Sequence, residues 1–223
     1  MILYLVRHGE TDCNLKKIIQ GQSVPSRLNE AGRKQAALAA CRLKNCGITH
    51  AYTSPLERAA ETAEIICRPM GLRPVPEPLL SERSFGVLEG KTREEIERVF
   101  PVKDCPWRQA YSAAPPGGES LMDVAERGRR FAEEIKKRHS EDDVIMAVAH
   151  GGTLRGMILY LLDLPPEYWR TFDFGNTSIS VFELGERVRA RRINDTAHLE
   201  GLAGERAEDA DNALPGSLSL YEK

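Results

Sequence analysis

The sequence predicts an α/β fold with a mostly parallel central sheet covered by helices. Short apolar runs alternate with segments of helical period along the 223 residues, the pattern of strands joined by helical crossovers. Two of those runs end in His-Gly, at His8-Gly9 and His150-Gly151. A chain of this length is sufficient for one core.

Residues 2–6 form the first buried strand. Residues 30–45 read as a helix because Ala36, Leu38, Ala39 and Leu43 recur at helical spacing before Gly47 stops the pattern. Ile48 to Thr53 is the next strand. Ser54-Pro55 then reads as an N-cap followed by proline at the first helical position, opening a helix to about Cys67 with Arg58 in its first turn. The proline-dense stretch from Arg68 to Pro78 reads as a connection with little regular structure. A short helix over 92–99, a long one over 119–138, a core strand over 144–149 and a helix from Gly151 to Leu162 follow. Ser178–Glu183 and Val188–Ile193 are β-rich runs separated by a hairpin-like interval. From Glu200 onward the mixture of Gly, Asp, Ala and Pro predicts a tail.

Composition narrows the function. With 31 Lys+Arg against 33 Asp+Glu, the net charge of −2 gives no whole-molecule attraction to nucleic acid or an anionic membrane, so any anion site must be local. Only six apolar residues precede Arg7, too few for a signal peptide or a spanning helix. The five cysteines form an odd set without a C-x-x-C pair, which favours neither a metal site nor a disulfide framework. A cytoplasmic setting is expected.

In open α/β sheets, ligands bind beyond the carboxyl ends of the strands. His8, Arg58 and His150 each follow a strand, with Arg7 and Thr11 beside the first, so one crevice would collect them. Two guanidinium groups near two imidazoles suit a phosphoryl group, whose oxygens match the arginine fork. Each residue also has a plainer reading. Arg58 would serve as a surface arginine paired with Glu57 or Glu61, His150 as a core histidine at a helix start, and Thr11 and Asn14 as turn and N-cap residues. His50, His139 and His198 are read as structural or exposed, and Cys13 gives no sign of a reactive thiol.

The motifs R-H-G-E-T at 7–11, S-P-L-E-R-A-A-E-T-A at 54–63, E-R-S-F-G-V-L-E-G at 82–90 and A-H-G-G at 149–152 together resemble the histidine phosphatase (phosphoglycerate mutase-like) superfamily. The likeness extends to N-D-T-A-H-L, ending at residue 199. It implies a three-layer sandwich with helices on both faces over residues 1–199, a lid-like insertion at 83–118 and a tail at 200–223. It further implies that His8 is the nucleophile, that Arg7, Arg58 and His150 hold the phosphoryl oxygens, and that Glu82 is the general acid and then the base, a role for which it starts protonated. Glu77 and Glu89 are its neighbouring competitors. Thr11, Asn14, Gly21 and Gly151 would contribute to substrate binding, and the scheme requires no metal or other cofactor.

The implied activity is hydrolysis of a small phosphorylated metabolite, with inorganic phosphate as product. The loop after Gly21, Q-S-V-P-S-R-L, departs from the family pattern; Arg27 there is read as a solvated charge rather than a second anion contact. The lid carries Arg83, Lys91, Arg93, Lys103, Trp107, Arg108 and Tyr111. Trp107-Arg108-Gln109 retains only one arginine of the paired element seen in the family's mutases, and P-P-G-G-E-S-L at 115–121 resembles its fructose-2,6-bisphosphatase, α-ribazole phosphatase and broad-specificity phosphatase branches. A phosphoglycerate mutase and a non-catalytic phosphate-sensing module are the alternatives. The β-rich C-terminal region and the tail are compatible with a homodimer.

Overall fold

A six-stranded sheet in the order β3-β2-β4-β1-β5-β6 forms the centre of the molecule. The structure is a computed structural model, and it describes residues 1–100, 104–105 and 110–200. Strands β1 (Ile2–Arg7), β2 (His50–Thr53), β3 (Val75–Pro76) and β4 (Val144–Ala149) run parallel. Strands β5 (Ile179–Leu184) and β6 (Val188–Asp195) extend the sheet as an antiparallel hairpin beside β1.

Side-chain alternation builds a core on each face. Leu3, Leu5, Ile145 and Ala147 point to one side, where they meet Phe131, Ile135, Leu154 and Ile158 from α5 (Leu121–Arg138) and α6 (Gly151–Leu161). Val6, Met146 and Val148 point to the other, against Ala39, Leu43, Ala63 and Ile66 of α2 (Glu30–Leu43) and α3 (Glu57–Cys67). This period of two, with helices on both faces, gives the three-layer sandwich. The predicted insertion contains α4 (Arg93–Val99), capped by a reciprocal Thr92–Glu95 pair, and its Phe85, Leu88 and Ile96 form a small core with Ile19.

The structure corrects the sequence reading in three places. First, α3 begins at Glu57 with Leu56 as its N-cap and no capping side chain; Ser54 lies beyond β2 and its hydroxyl turns toward His150. Second, the stretch from Arg68 to Pro78 contains a 3-10 turn at Arg68–Met70 and the edge strand β3. Proline is tolerated there because an edge strand does not need every ladder N–H. Third, a four-residue helix, α1 (Asp12–Leu15), follows the first motif, with Thr11 as its cap. Lys103, Trp107, Arg108 and most of the 200–223 tail lie outside the described residues.

Candidate active site

Strand register brings the two histidines together. β1 and β4 pair with Arg7 opposite Ala149, so the next residues, His8 and His150, leave adjacent strands side by side; their ring centroids are 5.1 Å apart. β2 pairs with β4 with Thr53 opposite Val148, which delivers Ser54 Oγ to 2.8 Å from His150 Nε2.

The His8 backbone and ring are both fixed. Its Nδ1 lies 2.7 Å from the Gly9 carbonyl, and since a carbonyl can only accept, Nδ1 carries the proton and Nε2 keeps its lone pair. The His8 carbonyl accepts from Asn176 Nδ2 at 3.1 Å and from the Thr177 backbone at 3.2 Å. Gly9 N–H donates to Thr62 Oγ1 at 3.0 Å, and that hydroxyl donates to the Arg58 carbonyl at 2.6 Å, so α3 clamps the histidine loop.

Arg7 and Arg58 are both 2% exposed, which excludes the surface reading of Arg58. Glu57 pairs with Arg27 and Glu61 with Arg33, leaving Arg58 Nη2 to donate to the Gly21 carbonyl at 2.8 Å. Arg27 is an exposed charge, as the sequence suggested. Gly21 has φ +54°, and a Cβ there would overlap the Glu89 carboxylate, so only glycine fits without strain. Arg7 Nη1 donates to the Phe174 carbonyl at 2.6 Å. Gly151 opens α6 beside the Arg7 guanidinium.

Glu82 is buried next to these groups. Its Oε1 accepts from Arg83 N at 2.7 Å and its Oε2 from Gly152 N at 3.3 Å, linking the carboxyl group to the first turn of α6. Its two competitors have other partners. Glu77 accepts from Leu79 N. Glu89 stitches the 21–23 loop to the insertion through Gln22 N, Ser23 N and Phe85 N; burial raises its pKa, but these bonds win and hold it below the usual carboxylate range.

A network that the sequence reading missed fixes the segment before and at Glu82. Arg127 donates from Nη1 to the Leu79 and Ser81 carbonyls at 3.0 and 2.9 Å, and from Nη2 to the Glu82 carbonyl at 3.2 Å. Glu119, inside the P-P-G-G-E-S-L motif, pairs with Arg127 at 2.8 Å and accepts from Ser84 N at 2.8 Å. Gln22 Nε2 donates to the Glu82 carbonyl at 2.6 Å. Ser54, Gln22, Glu119, Arg127 and Asn176 therefore join the site as positioning residues. Thr11 and Asn14 form a reciprocal capping box, and Asn14 Oδ1 also lies 3.4 Å from Asn176 Nδ2, so both brace the His8 loop. In the insertion, Arg83 donates to the Glu119 carbonyl at 2.8 Å and lies over the Phe85 ring. Arg93 pairs with Glu97, and Tyr111 packs against the Val124–Trp169 cluster.

Close approach at Gly152 yields a first expected outcome. A Cβ on Gly152 would lie 2.5 Å from Glu82 Oε1; because that atom ends a flexible side chain, Gly152→Ala should displace the carboxyl and leave the fold intact. Misplacement of a reacting group by about 1 Å costs about 100-fold, so turnover should fall by that order while thermal unfolding changes little. Unchanged turnover would show the Glu82–Gly152 contact to be dispensable.

Burial first, then the charges of Arg7 and Arg58, hold the His8 pKa well below the ordinary histidine range. Burial and then Arg58, His8 and Arg7 do the same for His150. Both imidazoles are therefore neutral at pH 7. Unfolded, each takes up a proton near pH 6.5, whereas the folded chain resists it, so this contribution to stability is complete above that pH and is lost as pH falls below it. His139 and His198 shift in the same direction. Each such group adds a slope of about 1.4 kcal/mol per pH unit between its folded and unfolded values. Urea unfolding between pH 7.5 and 5.5 should show the loss, and His8→Asn should reduce its slope; an equal slope in the variant would contradict a buried neutral His8.

The chain is similar to several known proteins. Residues 3–196 match the family described as the histidine phosphatase superfamily (branch 1). A 2,3-bisphosphoglycerate-dependent phosphoglycerate mutase from Bartonella henselae is 36% identical over 172 residues, covering 74% of this chain and 83% of the relative. Among solved structures, a mycobacterial glucosyl-3-phosphoglycerate phosphatase in complex with VO3 superposes with a TM-score of 0.79 and 34% identity, covering 86% of this chain and 98% of the other. Phosphoserine phosphatase from Entamoeba histolytica in complex with 3-phosphoglyceric acid superposes with a TM-score of 0.77 and 30% identity, over 89% of this chain and 98% of the other.

Proposed function

The chain belongs to the histidine phosphatase superfamily, and from the arrangement of its site we propose that it is a metal-independent phosphomonoester hydrolase acting through a phosphohistidine at His8. The observation that carries this is the Gly9 carbonyl on His8 Nδ1, which leaves the Nε2 lone pair available among Arg7, Arg58, His150 and Glu82.

In the first step His8 Nε2 attacks phosphorus. The P–N bond forms, the ester P–O bond breaks, and protonated Glu82 gives its proton to the leaving alkoxide. Arg7 and Arg58 neutralise the equatorial oxygens, supplying the charge stabilisation that a metal ion provides in other phosphoryl-transfer sites. His150 Nε2 shares a hydrogen bond with the Ser54 hydroxyl; with that hydroxyl donating, the His150 proton sits on Nδ1 as a further donor. In the second step the Glu82 carboxylate takes a proton from water as the water oxygen attacks phosphorus. The P–N bond breaks, and inorganic phosphate leaves with Glu82 protonated again. Thr11, Asn14, Gly21 and Gly151 shape the substrate pocket in this scheme, chiefly by holding the groups that touch phosphate.

The substrate is a small phosphorylated metabolite. Support comes from the structural relatives named as phosphatases of glucosyl-3-phosphoglycerate and phosphoserine, and from P-P-G-G-E-S-L, whose Glu119 helps to hold the acid. No helix among the described residues is long and apolar enough to cross a membrane, and the five free thiols suit a reducing cytoplasm. The mutase reading rests on the Bartonella henselae relative. Phosphate release from a panel of small esters in EDTA, run beside a bisphosphoglycerate-primed interconversion assay, separates the two. Release without added metal is expected; interconversion with negligible release, or release strictly dependent on metal, would overturn the proposal.

A further inference from the structure

We propose that His50, His139 and Asp143 form a second site, at the opposite end of the sheet, that binds a divalent transition-metal ion of the zinc class. One ligand atom from each residue lies within 4.8 Å of the others. His50 opens β2, His139 is the cap that ends α5, and Asp143 immediately precedes β4, so three segments converge there. Because His150 follows the far end of β4, the cluster lies about 20 Å from the phosphoryl site, the length of a six-residue strand.

The donor set matches the ion. Two imidazoles and a carboxylate are the ligands of three-coordinate protein sites that complete a tetrahedron with solvent. Asp143 Oδ1 is 3.5 Å from His50 Nδ1, and Asp143 Oδ2 is 3.7 Å from His139 Nδ1. These separations are too long for good hydrogen bonds, but they are close to the spacing of about 3.3 Å between ligands around a tetrahedral zinc ion. His50 Nδ1 lies 3.0 Å from Thr49 Oγ1, a contact that an ion would displace; the side chain is 48% exposed, so it can rotate to close the remaining distance and the ion can enter from solvent.

Supporting contacts orient His139 and Asp143 as metal sites require. His139 Nε2 lies 2.7 Å from the Tyr52 hydroxyl; with Tyr52 accepting, the ring proton sits on Nε2 and the Nδ1 lone pair faces Asp143. The carboxylate is fixed by Ser140 N at 2.8 Å and Ser140 Oγ at 2.9 Å on Oδ2, and by Thr49 Oγ1 at 3.0 Å on Oδ1. Oδ1, which takes a single donor, retains lone-pair capacity for an ion. A bound ion would tie the end of α5 to the starts of β2 and β4, so its effect falls on stability rather than on phosphate release.

Calorimetric titration of the reduced full chain with Zn2+, and visible spectra with Co2+, test the site. Wild type and His8→Ala should each bind one ion there, and His50→Ala and Asp143→Asn should weaken it by about tenfold or more. Zn2+ should raise the unfolding midpoint of wild type but not of His50→Ala, which should release phosphate at the wild-type rate. Wild type without a bound ion, affinities in both variants within twofold of wild type, or binding lost in His8→Ala instead would each overturn the proposal.

Discussion

Replacing His8 by alanine is expected to lower phosphate release by about four orders of magnitude or more, the scale of losing the nucleophile in a covalent mechanism. The other imidazole of the site is His150. His150 is tied through Nε2 to Ser54, while the Gly9 carbonyl fixes the His8 tautomer with Nε2 unprotonated. The folded state should survive, because the substitution removes one hydrogen bond together with a buried imidazole whose protonation Arg7 and Arg58 oppose. Circular dichroism and thermal unfolding should therefore be close to wild type while turnover disappears. Retention of even one per cent of the wild-type rate, in protein free of contaminating phosphatase, would mean that phosphorus is transferred elsewhere.

The second large effect belongs to Glu82. Glu82→Gln keeps the size of the side chain and an acceptor for one of the two N–H groups, Arg83 N or Gly152 N, that the two carboxyl oxygens take up, but it cannot give or take the proton. Loss of a general acid costs about 100- to 10,000-fold for an alkyl phosphate, whose alkoxide must be protonated as it leaves. A nitrophenyl ester needs little help in the first step, since its phenolate leaves unassisted. The variant should then show a burst of nitrophenolate followed by slow turnover, because hydrolysis of phosphohistidine still lacks its base. Rapid-mixing kinetics on the two esters distinguish the outcomes. Equal losses on both with no burst would assign Glu82 to positioning.

The parts of the fold visible in sequence were those with a strong local signal. β1 and β4 are short apolar runs, α2 and α5 have helical period, and both histidines stand where such runs stop. Features that depend on pairing were not visible. Ser54-Pro55 has the composition of a helix start, yet strand register places Ser54 beside His150. β3 was hidden because two of its features, proline and shortness, argue against a strand and are admissible only at an edge.

The candidate site divides in the same way. His8, Arg7, Arg58, His150 and Glu82 lie within motifs, and the structure brings them together. Arg127 and Gln22 meet Glu82 across wide gaps in sequence, and Glu119 meets Arg127; no spacing rule relates them. The pairing of Arg127 with backbone carbonyls is especially hard to foresee, since any arginine on an amphipathic helix reads first as a solvated charge. His50 and His139 were illegible for the same reason: their shared neighbour Asp143 becomes visible only when β2, α5 and β4 are assembled.

The most direct measurement is to trap the intermediate. Wild-type protein mixed with a small phosphate ester in EDTA, quenched in alkali within one turnover and mapped by mass spectrometry, should carry phosphate on His8, and that species should form and decay at rates that account for steady-state turnover. Turnover in the same solution with no phosphohistidine at His8, or with one that decays more slowly than product appears, would contradict the phosphohistidine mechanism.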